Sequence, residues 1–178
     1  MKRLGMLLTS VAVLGISGPF AGRSLADDKP ASAENKLAPL EPFLGEWEVH
    51  GRWASGDELH ARNVIEWGIG KKFITAKTFV KDGAREYQRY DAVMGWNPKK
   101  KSLFQTSYTY AGDINDTIIE PVEKDTLHIG WKAFDPSEPS KVRQIIKFTG
   151  KDSYVWTVFL NDGTEWKKLI EANWTRKK

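Results

Sequence analysis

The chain has 178 residues, 40% of them hydrophobic and 28% charged, with 15 Gly, 8 Pro and 8 Trp. That is the composition of one folded domain, since disordered chains lack this aromatic content and collagens need far more Gly and Pro. With no Cys, disulfides, thiol nucleophiles, cysteine-bound zinc and iron–sulfur clusters are excluded together, and stability must come from burial.

Residues 1–26 read as a secretory signal peptide. Lys2 and Arg3 make a basic start, and Leu4 to Phe20 is an uncharged, mostly apolar run. Ser24-Leu25-Ala26 then places small residues at the two positions a signal peptidase reads. Gly15, Gly18, Pro19 and Gly22 interrupt the run, leaving it short of the roughly 20 residues a spanning helix needs. Export to the periplasm or beyond is therefore expected, without stable membrane insertion after cleavage. The formal charge of +4 falls with cleavage: 27 basic residues less Lys2, Arg3 and Arg23 leave 24, against 23 acidic ones. These charges are spread evenly along the chain, whereas nucleic acid calls for a dense basic surface. A nucleic-acid partner is not expected.

Residues 27–35 are polar and small, a flexible leader, and residues 36–178 form the folded domain. In Lys36 to Leu44, the apolar Leu37, Leu40, Phe43 and Leu44 have helical spacing, while Pro39 and Pro42 keep the segment short. A short helical plug is expected there. From Glu46 onward, segments rich in Val, Ile, Thr and aromatics alternate with turn clusters such as Ser55-Gly56-Asp57, Lys81-Asp82-Gly83, Asn97-Pro98-Lys99 and Asn161-Asp162-Gly163. Nine such turns separate ten strand candidates. No intervening segment can form a crossover helix, so the strands form an antiparallel meander, and ten of them favour closure into an all-β barrel.

Period-2 alternation assigns faces. Trp47, Val49, Gly51 and Trp53 share the inner face of the first strand. Later inner faces are Ile74-Ala76-Thr78-Val80, Tyr90-Ala92-Met94-Trp96, Phe104-Thr106-Tyr108-Tyr110 and Leu127-Ile129-Trp131-Ala133. The last three are Val142-Gln144-Ile146-Phe148, Tyr154-Trp156-Val158-Leu160 and Trp166-Lys168-Ile170-Ala172-Trp174, in which Lys168 is a departure that suits a rim position. Two registers are open for the second strand. In one, Leu59, Ala61, Asn63, Ile65 and Trp67 face inward; in the other, His60, Arg62, Val64 and Glu66 do. Burying three ionisable groups is costly unless they serve a site, which favours the apolar register.

Phe43-Leu44-Gly45-Glu46-Trp47 resembles the Gly-x-Trp start of the calycin superfamily of lipocalins, fatty-acid-binding proteins and nitrobindin-like proteins. The wider chain is similar to a family of uncharacterised bacterial exported proteins with a lipocalin-like barrel. Leu37-Ala38-Pro39-Leu40 matches its leader, Tyr90-Asp91 and Gly95-Trp96-Asn97-Pro98 its mid-chain motifs, and Trp174-Thr175-Arg176 its last strand. The resemblance implies a fold more than an activity. It also implies a structural role for Gly45, Trp47 and Arg176, in which an Arg near the last strand stacks over the Trp. Membership of a frayed basic tail is the alternative for Arg176.

Catalytic machinery is not legible. His50, His60 and His128 share no metal-ligand spacing, and His50 and His60 are expected on opposite faces, so no metal site follows. Nitrobindin-like haem binders use a late histidine, and none follows His128; no cofactor is expected. No Gly-x-Ser-x-Gly elbow, EF-hand or phosphate loop is present. What remains is inward aromatic content with a few polar groups, as in small-ligand pockets. A ten-stranded barrel tends to keep a cavity, although the aromatics can also simply fill it. The reading is a barrel that binds a small apolar or amphipathic molecule in its interior, through Asn63, Trp67, Tyr90, Tyr108, Trp131, Gln144 and Trp156, with Gln88 as a further polar group. Two alternatives stand beside it: an isomerase, cyclase or lyase using His60, Arg62 and Glu66, and an envelope protein that binds a partner on its outer face.

Overall fold

The computed structural model describes residues 35–178. The expected signal peptide and all of the expected leader but Asn35 lie outside the described residues. Ten strands follow in order: β1 (Gly45–Arg52), β2 (Glu58–Trp67), β3 (Phe73–Asp82), β4 (Arg85–Asn97), β5 (Ser102–Thr109), β6 (Ile114–Glu123), β7 (Thr126–Ala133), β8 (Val142–Gly150), β9 (Ser153–Asn161) and β10 (Trp166–Arg176). Each is antiparallel to its sequence neighbours, and β10 returns to β1, so the sheet is a closed meander barrel. The expected helical plug is a single 3₁₀ turn, Ala38–Phe43. Pro39 and Pro42 supply no N–H, so an α-helix has no ladder to extend.

Hairpin geometry settles the second strand. The Trp53 amide donates to the Asp57 carbonyl across a three-residue loop, with Gly56 at φ +97°. This sets Val49 opposite Ala61 and Trp47 opposite Asn63. Directly opposed residues share a face, so the apolar set Leu59, Ala61, Asn63, Ile65 and Trp67 faces inward. His60, Arg62 and Glu66 face out, where Arg62 pairs with Glu86 at 2.9 Å and lies 4.3 Å from the Phe79 ring. The set invoked for a barrel enzyme is therefore not in the interior.

Four expectations are corrected: the inward placing of Gln88, and parts of the faces of β5, β7 and β10. Single extra residues in β4 and β10 invert the alternation, and β7 carries a wider irregularity. In β4 the register changes from Thr78↔Tyr90 to Phe79↔Gln88, with Arg89 as the extra residue; Tyr87 turns inward and Gln88 outward. In β7, Gly130 sits at φ +74°, and β7 has two more residues than β6 between Ile119↔Ile129 and Thr117↔Ala133. Trp131 consequently stacks on outward His128, at 4.6 Å between ring centres. In β10, Leu169 is the extra residue between Lys168↔Phe159 and Ile170↔Val158, which turns Trp166 and Lys168 outward. The Arg143 guanidinium lies 4.7 Å from the Trp131 ring and 4.0 Å from the Trp166 ring on that outer surface. The fourth correction is β5. Asn97 pairs with Ser102, so Trp96 opposes Leu103 and Met94 opposes Gln105. Leu103 is buried, while Phe104, Thr106 and Tyr108 point out, and Tyr110 lies beyond the strand and is exposed.

Candidate functional site

One end of the barrel is sealed by side chains from both chain ends. Trp47 is fully buried, and its indole Nε1 donates to the Phe43 carbonyl at 2.6 Å. Arg176, directly opposite Trp47 in the closing seam, sits 4.2 Å over its ring. The same guanidinium donates to the carbonyls of Pro42, Leu44 and Lys151 and to Asp152 Oδ1. Gly45 makes room for it: a Cβ there would stand 2.6 Å from an Arg176 nitrogen, and the backbone is at φ +118°. Gly45, Trp47 and Arg176 form one unit.

Above this seal the interior is aromatic. Tyr154 contacts Phe43, Trp47, Phe148 and Trp174, and Trp156 contacts Trp53 and Trp174, with ring centres 4.8–6.2 Å apart. Burial holds the Tyr154 phenol far above its ordinary pKa despite a hydrogen bond with Asn63. Trp156 Nε1 donates to Gln144 Oε1 at 2.7 Å. Asn63 Oδ1 and Trp174 Nε1 are buried without a hydrogen-bond partner among the described residues.

Of the seven side chains expected to hold a ligand, Asn63, Trp67, Gln144 and Trp156 share the interior. Tyr90 stands at the rim opposite the seal, 37% exposed, and accepts from Arg89 Nε at 3.2 Å. Tyr108 and Trp131, 47% and 37% exposed, are on the outer surface and do not join them.

The sealed end also carries a cleft of about 640 Å³ that sequence reasoning missed. Its apolar lining combines Pro39 of the 3₁₀ turn, Trp96, Leu103, Ile118 and Ile119, with Phe134 from the segment after β7. Among the described residues, four lysines line it as well, Lys36, Lys100, Lys101 and Lys132, against one carboxylate, Glu120. Lys132 pairs with Glu120 at 2.5 Å, Lys100 donates to the Phe134 carbonyl at 2.6 Å, and Lys36 lies 5.5 Å from the centre of the Trp96 ring. Lys101 holds a left-handed backbone at φ +50°, a conformation uncommon outside glycine. Ser102 Oγ, in the same wall, has no hydrogen-bond partner among the described residues. Such a wall can hold an apolar body and direct positive charge at one end of it. The one prior signal was Lys99-Lys100-Lys101 after Asn97-Pro98, which reads as an ordinary turn.

No family model matches the chain, and no curated protein matches it in sequence. Solved structures do match in fold. Rv2717c from M. tuberculosis is 14% identical, with 81% of this chain and 98% of that one covered and a TM-score of 0.53. This chain and that structure share a fold, which here is a closed ten-stranded antiparallel barrel. The S-type phycobiliprotein lyase CPES from Guillardia theta matches at 12% identity over 78% of this chain and 90% of that one, TM-score 0.48. EF1p2_mFAP2b bound to DFHBI matches at 11% identity over 80% and 99%, TM-score 0.41. At these identities the likeness concerns the fold alone.

Proposed function

We propose that this chain is an exported lipocalin-like protein that binds a small amphipathic molecule carrying an anionic group, in the cleft at the sealed end of the barrel. The cleft carries the reading. Trp96, Leu103, Ile118, Ile119 and Phe134 offer apolar area for a hydrocarbon or ring system, and among the described lining residues four lysines outnumber one glutamate. Compared with the interior site expected from sequence, the ligand lies against the barrel end, because the aromatic cluster around Tyr154 and Trp174 already packs the space beneath the seal. Export is supported by the signal-peptide pattern over residues 1–26.

Titrating intrinsic tryptophan fluorescence with dodecanoate and with dodecanol tests the reading. The carboxylate should bind at least tenfold more tightly than the alcohol, and Lys100→Gln/Lys101→Gln should remove most of that preference while leaving the weaker alcohol binding. Equal affinity for the two ligands, or a preference untouched by the double substitution, overturns the anionic-ligand reading.

A further inference from the structure

The first hairpin has an outer surface on which two imidazoles meet. His50 and His60 are directly opposed in the β1–β2 register, so both leave the sheet on the same side, contrary to the expectation of opposite faces. Their rings are nearly perpendicular, at 85° with centres 4.7 Å apart, and Nδ1 of one lies 2.7 Å from Nδ1 of the other. At that distance one nitrogen donates a proton and the other accepts it. Glu58 decides which. It lies two residues before His60 on the same face, with Oε2 3.2 Å from His60 Nε2. Arg52 pairs with the same carboxylate at 3.0 Å, which leaves Glu58 Oε2 as the acceptor for an Nε2–H of His60. With its proton on Nε2, His60 presents the Nδ1 lone pair toward His50. A carboxylate that fixes the tautomer of a histidine in this way is the usual outer-sphere support of an imidazole–metal bond.

We propose that His50 and His60 chelate a copper(II) ion through their Nδ1 atoms, with Glu58 as the positioning residue for His60. The ion takes the place of the proton now shared between the rings. His50 transfers that proton through solvent to its own Nε2, so each imidazole stays neutral and both Nδ1 lone pairs bind the metal. At imidazole–metal bond lengths of about 2.0–2.1 Å, two ligands at right angles lie about 2.9 Å apart and two at the tetrahedral angle about 3.3 Å apart. The 2.7 Å spacing is nearer the right-angled case, the tetragonal geometry of copper(II), which the rings reach by parting slightly, and copper heads the affinity order of the divalent first-row ions. Among the described residues no cluster of three or more His, Asp or Glu is in position to hold a metal, so water completes the coordination. The site is accessible, with the His60 side chain 39% exposed, and it is rigid because both histidines sit on paired strands. It is separate from the lysine-lined cleft and does not depend on what binds there.

The test is titration of the full chain with copper(II) against a competing chelator, read by affinity and by electron paramagnetic resonance. One equivalent should bind with hyperfine structure from two imidazole nitrogens. His50→Ala and His60→Ala should each lower the affinity at least tenfold and remove one coupled nitrogen, while His128→Ala changes neither. Glu58→Ala should weaken binding about tenfold with the two-nitrogen signature retained. Zinc should bind at least tenfold more weakly than copper. A wild-type spectrum without two imidazole nitrogens overturns the proposal independently of any variant. So does copper binding that persists unchanged in both His→Ala proteins, or zinc binding as tight as copper.

Discussion

Trp47 carries a single hydrogen-bond donor, and the 3₁₀ turn delivers the Phe43 carbonyl to it at 2.6 Å. A fully buried indole can therefore seal the barrel end without an unsatisfied N–H. Arg176 covers the exposed side of that seal and ties Pro42, Leu44, Lys151 and Asp152 together through one planar group. Truncating a buried tryptophan typically costs about 3–5 kcal/mol, a large share of the about 5–15 kcal/mol that stabilises a domain. In urea denaturation, Trp47→Ala should lose that much, and half-buried Trp53→Ala distinctly less. Arg176→Ala should destabilise the wild type yet add little to Trp47→Ala, because residues in contact couple by about 0.5–3 kcal/mol. Additive losses would show that the stacked pair contributes nothing jointly.

At the scale of the strand, the bulges decide which side chains enter the barrel. Gly130 illustrates the constraint: its φ is +74°, and a Cβ there would lie 2.4 Å from the Val142 carbonyl oxygen. Gly83 has a similar φ of +59° but open space around it. Gly130→Ala should therefore destabilise by more than the about 1–3 kcal/mol of a strained backbone alone, and Gly83→Ala by no more than that; equal losses in denaturation midpoints would remove the steric argument. The contrast shows where sequence reading runs out. Turn residues and period-2 alternation make the ten strands legible, together with the inner faces of β1, β3, β8 and β9 and of β4 from Tyr90 to Trp96. Alternation has no marker for an inserted residue, so it misplaces Gln88, Trp131, Trp166 and Lys168 beyond Arg89, Gly130 and Leu169. In β5 the more aromatic set, Phe104 and Tyr108, loses the interior to Leu103 and Gln105 because the Asn97-to-Ser102 turn fixes the register. The cleft is assembled from four separated segments, and no local pattern brings Lys36 to Lys132.

The molecule as a whole is organised around Tyr154, where residues from the 3₁₀ turn, β1, β8 and β10 meet. Its phenol is held protonated by burial, whereas in the unfolded chain it ionises near pH 10. The folded pKa is the higher one, so the stability contributed by the neutral phenol is intact below about pH 10 and declines as pH rises beyond it, by up to about 1.4 kcal/mol per pH unit. Urea midpoints measured between pH 9 and 11 should fall more steeply for the wild type than for Tyr154→Phe; parallel slopes would mean the phenol ionises in place. The closed ring has a further consequence, one of timing. β1 and β10 meet through Trp47↔Arg176, Glu48↔Thr175 and Val49↔Trp174, a seam joining the earliest and latest parts of the wall. An emerging chain that has formed β1 through β9 is still an open sheet, with bare backbone along two edges available to any passing strand. That exposure ends only when the final eleven-residue strand slots between them. Until β10 is in place the wall is thus a template for mispairing, and β10 is the strand that removes the hazard.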